Sequence, residues 1–413
     1  MKKPELLLPA GNLETLKIAI TYGADAVYIG GDAYSLRAKA DNFSYDDMAG
    51  GIAFAHEHGK KVYITANIFA HNADLPGIRD YFQELNDLRP DGVLVADPGV
   101  FALAKEHLDG IPIHISTQAN STNYASARFW HEQGAARIVA ARELSMAEIK
   151  AAKEQLPEDM EIEVFVHGAM CISYSGRCLL SNYFTGRDAN RGACTHPCRW
   201  KYALQEETRP GEYLPIEETD RGTFIMNSKD LCMVSHIPEL VGAGVDSLKV
   251  EGRMKSVLYV ATTARAYRQA IDDYFASEAL YRRRIPEYER EAAACTNRTF
   301  TTGFFFGRPS DEAMIYDAST YVVGYTYLGY AQGEREIDGR RCFRMIQRNK
   351  FSVGEEVEIM RPSGENVSVK VLQLWDEEGN IVDSVPHAKQ VFYVDVGAAI
   401  GQYDILRRKE EAG

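Results

Sequence analysis

The chain has 413 residues, of which 45% are hydrophobic and 25% are charged, a composition ordinary for a globular protein with one large domain and a small one. The formal net charge is −13, which argues against a protein that coats nucleic acid indiscriminately but leaves room for a local basic site. The first residues hold an apolar run of three leucines and no later run could span a bilayer, so we expect a cytoplasmic protein without membrane contact, whose thiols stay reduced.

Short apolar runs alternate with longer helical patterns through the first two-thirds of the chain. The predicted strands are Glu5–Leu8, Ala26–Ile29, Val62–Asn67, Gly92–Ala96, Ile113–Ser116, Arg137–Ala140, Ile162–Val166 and Ser247–Glu251. Eight strands separated by helices predict an α/β fold, a (β/α)8 barrel of the TIM type, over residues 1–310. An open doubly wound sheet is the alternative, but the first strand lacks a glycine-rich dinucleotide fingerprint after it.

Two segments depart from this alternation. Residues 168–245 form a long insertion between the seventh and eighth strands, and insertions at the carboxyl end of a barrel strand commonly build the active site. Residues 311–413 contain short alternating segments separated by turn residues. This pattern predicts a second domain, a small all-β barrel or sandwich.

Four of the seven cysteines lie in the insertion, at Cys171, Cys178, Cys194 and Cys198. Clustered cysteines in a protein with reduced thiols indicate a metal or redox centre rather than disulfides. Their spacings lack the close Cys-x2-Cys pairs of structural zinc sites, so they modestly favour a 4Fe-4S cluster over zinc. A nucleophilic cysteine with His167 or His196 as its base is a third interpretation, but it leaves three cysteines unexplained.

Polar residues at the strand ends are candidates for a small-molecule pocket, because these ends share one mouth of a barrel. We expect Arg142 and Arg253 to bind carboxylate or phosphate groups through bidentate hydrogen bonds. Glu143 and Glu251 are candidate catalytic groups, with positioning of the arginines as their alternative role. His167 is a candidate proton donor or cluster ligand, with a packed core histidine as the alternative. The candidates for hydrogen bonds to a ligand are Asn67, His71, Gln118 and Asn120.

Basic residues concentrate in two runs, each of which is either a solvated face or part of an RNA-binding surface. The run at 171–201 contains Arg177, Arg187, Arg191, Arg199 and Lys201, and the run at 340–350 contains Arg340, Arg341, Arg344, Arg348 and Lys350. Aromatic residues flank the first run, at Tyr174, Tyr183, Phe184 and Trp200. Such rings can stack on an unpaired base, although we expect most of them to pack in the core.

The segment Glu163–Ser181 resembles the signature of peptidase family U32, the collagenase-like peptidases, at every fixed position. The resemblance continues over about residues 5–310 and a C-terminal β domain. It rests on Gly23-Ala-Asp-Ala-Val-Tyr-Ile-Gly30, Asn227-Ser-Lys-Asp-Leu231, Ser247-Leu-Lys-Val-Glu-Gly-Arg-Met-Lys255 and Asn297-Arg-Thr-Phe-Thr-Thr-Gly-Phe304.

This family is divided in function. Some members are described as collagenolytic proteases, and others as iron–sulfur proteins that support oxygen-independent hydroxylation of ubiquinone precursors, ribosomal RNA or tRNA. Length and domain layout are most similar to the tRNA branch. That resemblance implies an enzyme that hydroxylates the wobble uridine to 5-hydroxyuridine in the anticodon arm of tRNA. The alternatives are a collagenase-like peptidase and a non-catalytic RNA-binding scaffold.

The same resemblance implies the cofactors. A 4Fe-4S cluster is expected on Cys171, Cys178, Cys194 and Cys198, with Cys232 as the alternative fourth ligand. Prephenate, a small dianionic metabolite, is implied as the co-substrate, and the barrel mouth is where we expect it to bind.

Overall fold

Eight short apolar strands form a closed parallel barrel in the computed structural model. The structure describes residues 2–31, 34–35, 42–171, 173–174, 177–187, 189–191, 193–200, 203–204, 214–215, 227–295, 297–307, 314–315 and 324–410. The barrel strands are Glu5–Pro9, Ala26–Ile29, Lys61–Thr65, Gly92–Val95, Ile113–Ile115, Arg137–Val139, Glu161–Ala169 and Ser247–Val250. The eighth strand pairs in parallel with both the first and the seventh, which closes the ring and confirms the predicted TIM-type barrel.

Helices pack around the barrel and begin at residues that can cap them. The helices are Leu13–Thr21, Tyr45–Glu57, Leu75–Leu88, Pro98–His107, Tyr124–Gln133, Met146–Lys153, Leu180–Thr185, Ile237–Gly242, Val257–Ala276 and Glu278–Ala292. Side-chain oxygens of Asn12, Asp97 and Asn123 each accept a hydrogen bond from a backbone N–H of the first helical turn. No helix in the described ranges is both long enough and apolar enough to cross a membrane.

The chain between the seventh and eighth strands returns to the barrel before it enters its last helix. Short strands lie at Ala203–Leu204, Leu214–Pro215, Asn227–Ser228, Asp230–Cys232, Phe300–Thr301 and Met314–Ile315. Asp230–Cys232 pairs antiparallel with the end of the seventh strand and parallel with Phe300–Thr301. The seventh strand itself runs to Ala169, three residues beyond its predicted end, so His167 lies inside it.

Charged side chains fill the interior of the barrel near the amino ends of its strands. Arg137 Nη1 donates to Glu5 Oε1 over 2.7 Å and to Glu163 Oε2 over 2.9 Å. Lys249 Nζ donates to the other oxygen of Glu163 over 2.6 Å, and Glu163 is fully buried. Each buried charge is therefore balanced by a neighbour, and the loss of one partner would leave an uncompensated charge.

The C-terminal domain is one antiparallel sheet of eight strands with its own apolar core, which confirms the predicted all-β domain. In sheet order the strands are Val367–Lys370, Glu356–Met360, Ile405–Lys409, Tyr325–Ile337, Arg340–Ile346, Val391–Asp395, Gln373–Asp376 and Ile381–Val382. The domain packs on the barrel helices. Tyr22 Oη donates to the carbonyl of Met360 over 2.9 Å, and Arg348 pairs with Glu14 at 2.6 Å.

Candidate active site at the barrel mouth

A cavity of about 350 Å³ lies at the carboxyl ends of the barrel strands and against the cysteine-bearing insertion. Five of the predicted strand-end residues line it: Asn67, Gln118, Arg142, Glu251 and Arg253. Side chains from within the strands form its floor, among them Tyr28, Thr65, Phe165 and Lys249. The barrel mouth therefore holds an enclosed volume suited to a small polar ligand.

The four clustered cysteines all line this same cavity. Cys178 is buried, and Cys171, Cys194 and Cys198 are half-buried. Burial raises the pKa of the Cys171 thiol; the neighbouring thiols Cys178 and Cys194 act in the same direction, and the Arg142 guanidinium acts against it. These interactions place three thiols and one cation within electrostatic range of each other.

The donor chemistry of this wall suits an iron–sulfur cluster, because four thiols from one insertion face one enclosed space. Among the described residues, no three His, Cys, Asp or Glu side chains already stand in an arrangement that would hold a metal ion. The thiols thus share a cavity without sharing a preformed coordination geometry.

Hydrogen bonds fasten the insertion over the mouth. The Asn190 side chain accepts from Cys178 N over 3.3 Å and donates to Cys178 O over 3.2 Å. Arg177 Nε donates to the carbonyl of Gln118 over 2.8 Å, and its guanidinium lies 5.0 Å from the ring centroid of Phe69. Two of the thiol-bearing turns are joined through Ser181, whose Oγ accepts from Thr195 N over 3.0 Å. The positions of the cysteines therefore depend on contacts with the barrel rim.

Arg253 is a buried cation in the cavity wall. Its Nη1 donates to Thr65 Oγ1 over 3.1 Å, and its Nη2 donates to Ser35 Oγ over 3.0 Å and Asn42 Oδ1 over 2.8 Å. Gly30 makes room for this guanidinium, because a Cβ at that position would lie 2.3 Å from Arg253 Nη1. The arginine is thereby fixed in one orientation toward the cavity.

Arg142 and Glu251 form a pair on the same wall. Arg142 Nη2 donates to Glu251 Oε2 over 3.1 Å, and the guanidinium lies 3.9 Å from the ring centroid of Phe165. Among the described lining residues, Arg142, Lys249, Arg253 and Lys255 are cations and Glu251 is the single carboxylate. This excess of positive charge favours an anionic ligand.

Asn67 and Gln118 supply neutral polar groups. Asn67 Nδ2 donates to Ser116 Oγ over 3.1 Å, and Ser116 Oγ donates to Gln118 Oε1 over 2.5 Å. In the described structure, the buried Oδ1 of Asn67 has no hydrogen-bond partner. An unsatisfied acceptor in the wall of a polar cavity marks a position where a ligand can donate a hydrogen bond.

Three other predicted residues do not line the cavity. His71 and Asn120 are exposed on the rim, and the backbone N–H of His71 donates to Asp74 Oδ2 over 2.7 Å. Glu143 is half-buried outside the cavity wall. The structure therefore brings together Arg142, Arg253, Glu251, Asn67 and Gln118 from the predicted set and separates these three from them.

His167 also lies away from the cavity, in a layer of aromatic rings. Its ring centroid is 5.8 Å from that of Tyr259, 5.7 Å from that of Tyr267 and 5.4 Å from that of Phe300. Burial lowers the pKa of His167 to about 4, so the imidazole is neutral near pH 7. This environment corresponds to the packed core histidine that the sequence offered as the alternative.

Cys232, the alternative fourth ligand, pairs across strands with His167 and does not line the cavity. Burial raises the pKa of its thiol to about 11. The Tyr267 hydroxyl lies 3.9 Å from its sulfur and acts in the opposite direction. Cys198, in contrast, shares the cavity wall with the other three cysteines.

Lys249 is the lining cation that the strand-end argument missed, because it lies within the eighth strand and not after it. A signal was present in Ser247-Leu-Lys-Val-Glu251, since alternation puts Ser247, Lys249 and Glu251 on one face of the strand. Three polar residues on one face of an otherwise apolar strand indicate a polar barrel interior.

The insertion carries exposed aromatic rings on its outer surface. Tyr174, Tyr183, Phe184 and Trp200 are each at least 44% exposed, so the expectation that most of them pack in the core is wrong. The Phe184 ring centroid lies 5.2 Å from that of Tyr183 and 6.2 Å from that of Trp200. Arg177 and Arg187 are also exposed here, whereas Lys201 and the side chains of Arg191 and Arg199 lie outside the described residues.

The fold and site define a (β/α)8-barrel protein with a thiol- and cation-lined cavity under a cysteine-bearing insertion. The family model for Peptidase family U32 matches residues 11–315, and the model for Peptidase family U32 C-terminal domain matches residues 324–407. The chain belongs to peptidase family U32.

Three relatives connect this family to RNA hydroxylation by their names. The chain is 42% identical over 407 residues to tRNA hydroxylation protein P1 of Bacillus subtilis (strain 168), covering 98% of this chain and 95% of that protein. It is 38% identical to tRNA hydroxylation protein P of Escherichia coli (strain K12), covering 94% and 92%. It is also 32% identical to the 23S rRNA 5-hydroxycytidine C2501 synthase of Escherichia coli (strain K12), covering 88% and 55%.

Proposed function

We propose that the protein is a cytoplasmic enzyme of tRNA hydroxylation that forms 5-hydroxyuridine at the wobble position. The proposed cofactors are a 4Fe-4S cluster and prephenate. The observation that carries this proposal is that four thiols and four cations line one cavity at the barrel mouth. The relatives named for tRNA hydroxylation support the reaction class.

Cys171, Cys178, Cys194 and Cys198 would hold the cluster, which supplies one-electron redox chemistry when bound. The remaining wall binds and orients the metabolite. Arg253, held by three neutral oxygens, and Arg142, held by Glu251, present guanidinium groups suited to carboxylates.

The exposed rings and arginines of the insertion are the proposed contact for the anticodon arm. Tyr183, Phe184 and Trp200 lie close together on the surface, and every nucleobase has a face that can stack on such rings. Arg177 and Arg187 supply positive charge for the phosphates on the same insertion. A uridine unstacked onto this surface would lie beside the thiol-lined cavity.

The function is tested by mass analysis of tRNA nucleosides from a deletion strain without a redundant paralogue. We expect 5-hydroxyuridine and its derivatives to disappear and to return with the wild-type gene. Cys178→Ala should fail to restore them. Cys295→Ala is the matched control, because Cys295 is buried against Thr262 and outside the cavity. Unchanged nucleosides in the deletion strain would remove the proposal.

The cluster is tested separately on anaerobically purified protein. We expect brown protein with about four irons and four sulfides per chain, as four thiolate ligands imply. Cys171→Ala, Cys178→Ala, Cys194→Ala and Cys198→Ala should each lose the colour, whereas Cys232→Ala and Cys295→Ala should keep it. Stoichiometric zinc without acid-labile sulfide would refute the cluster, and loss of colour only with Cys232→Ala would reassign the fourth ligand.

Peptide hydrolysis is the second candidate function, and one contact favours it. Cys194 Sγ lies 3.9 Å from His196 Nδ1, an arrangement of thiol and imidazole that resembles a nucleophile and its base. A peptidase should cleave gelatin after purification and lose that cleavage with His196→Ala. A non-catalytic scaffold would instead bind tRNA while a partner performs the modification, so the purified protein would show no turnover.

A further inference from the structure

We infer that Lys249 binds one carboxylate of the metabolite at the cavity floor, and that Lys249 and the rim arginines together select a dicarboxylate. This inference rests on the proposed function and assigns the recognition chemistry of that same cavity. It concerns a side chain that lies deeper in the barrel than the strand-end residues.

Lys249 is a buried cation that still reaches the cavity. The residue is 4% exposed and lines the cavity floor. Its Nζ lies 4.4 Å from the ring centroid of Tyr28 and 5.5 Å from that of Phe165. Two aromatic faces thus flank the ammonium group and limit the directions from which an anion can approach.

The ammonium group is held in place from below. Nζ donates to Glu163 over 2.6 Å, and Glu163 is itself fixed by Arg137 over 2.9 Å. Within the described part of the chain, Glu163 is the one oxygen that Nζ reaches, so two of its three N–H donors remain for a ligand. A positioned cation with unused donors is preorganised for a carboxylate.

Phe165 relates this floor cation to the rim. The Arg142 guanidinium and Lys249 Nζ both lie within 5.5 Å of its ring centroid, so two positive groups surround one ring. A small molecule with two carboxylates can pair with the floor and the rim at once. A monocarboxylate leaves one of these desolvated cations without its anion, which weakens binding.

The inference is tested by calorimetry on the purified, cluster-loaded protein, with prephenate and phenylpyruvate as probes. Prephenate carries two carboxylates and phenylpyruvate carries one. Lys249→Met should weaken prephenate binding roughly ten- to hundredfold, as the loss of one charge-assisted contact implies. Lys153→Met is the matched control, because Lys153 also bonds a carboxylate over 2.6 Å, at Asp246, but lies outside the cavity. Its affinity for prephenate should be unchanged.

A second measurement needs no variant at the floor. The wild-type protein should bind prephenate at least about tenfold more tightly than phenylpyruvate, since one ion pair is lost with the second probe. Equal binding of the two probes, or wild-type affinity in a folded Lys249→Met variant, would overturn the inference alone. No prephenate binding by the wild-type protein would overturn the proposed metabolite as well.

Discussion

Burial decides the charge state of the two histidines inside the barrel domain. His167 sits among Tyr259, Tyr267 and Phe300, and His114 is fully buried beside Arg137 and Lys249. Burial lowers the pKa of both imidazoles, and Arg137 and Lys249 lower that of His114 further. Both side chains are therefore neutral packing groups at physiological pH, although their residue type is the one most often used for proton transfer.

The neutral His167 makes stability depend on pH. Its pKa is about 4 in the folded protein and about 6.5 in the unfolded chain. Between these values the unfolded chain binds a proton that the folded protein does not. The free energy of unfolding therefore falls as the pH falls through this window, by on the order of 3 kcal/mol in total.

His167→Phe removes this proton and keeps an aromatic ring in the same layer. We expect the variant to lose less stability than the wild type between pH 7 and pH 4.5, measured by urea unfolding at both values. His114 contributes equally to both proteins, so the difference reports His167. The variant should also restore tRNA hydroxylation in the deletion strain. The same pH dependence in both proteins would contradict the buried, neutral state.

At the level of elements, the barrel strands were predictable from apolar runs and their spacing. The predicted Arg137–Ala140 corresponds to Arg137–Val139, and the predicted Val62–Asn67 corresponds to Lys61–Thr65. Local burial produces these runs, and local burial is what a sequence records most directly. The cysteine set of the cavity was predictable for the same reason, because its members are close in the chain.

Side-chain direction in the seventh strand was not predictable. Strict alternation would put His167 on the same face as Glu163 and Phe165, toward the cavity. The register with the eighth strand shifts instead, since Phe165 pairs with Lys249 and His167 pairs with Val250. This irregularity turns the imidazole toward the helices. It arises from pairing with a strand about 80 residues later, which no local pattern reveals.

The short strand Asp230–Cys232 is fixed by a buried ion pair. Asp230 accepts from Arg298 Nη2 over 2.6 Å, and both side chains are buried. This pair joins two segments that the family resemblance singled out, Asn227–Leu231 and Asn297–Phe304. Their shared role is to hold the return of the insertion against the seventh strand.

Asp230→Asn should destabilise the protein by about 3–5 kcal/mol, because it leaves the Arg298 guanidinium buried without its counter-charge. Glu278→Gln is the matched control. It removes an ion pair of the same 2.6 Å length, to Arg282, on an exposed helix surface, where the expected cost is below about 1 kcal/mol. Urea unfolding at pH 7 measures both. Equal losses in the two variants would show that burial does not set the strength of the first pair.

For the whole molecule, the basic run 340–350 is less positive than its sequence suggests. Arg340 pairs with Asp395 at 3.2 Å, Arg341 pairs with Glu334, and Arg344 donates to Gln332. Arg348 joins the C-terminal domain to the barrel through Glu14. The run therefore combines exposed cations with one residue that positions the domain.

Replacing Arg340, Arg341 and Arg344 by Ala should weaken tRNA binding and flatten its salt dependence by up to about three phosphate contacts. Exposed ion pairs are weak, so these arginines can exchange their carboxylates for phosphates. Arg348 is kept, because its loss would disturb the domain contact. Filter binding over a range of salt concentrations measures the effect, and the cluster absorption should be unchanged.

The control for this triple variant replaces three scattered exposed arginines, Arg89, Arg128 and Arg282, and has the same net charge. It should bind tRNA more tightly than the triple variant of the basic run. Equal affinities in the two proteins would mean that net charge alone matters and that the C-terminal domain does not contact the RNA.

Closure of the ring also orders the events of synthesis. The first and eighth strands meet through Ser247 Oγ, which donates to Glu5 Oε1 over 3.0 Å, a contact between residues 242 positions apart. Until the eighth strand leaves the ribosome, the seven earlier strands have an unpaired edge on each side. All four insertion cysteines emerge before that moment, since Cys198 precedes Ser247 in the chain. Barrel closure is thus the step that turns an accessible set of nascent thiols into an enclosed one.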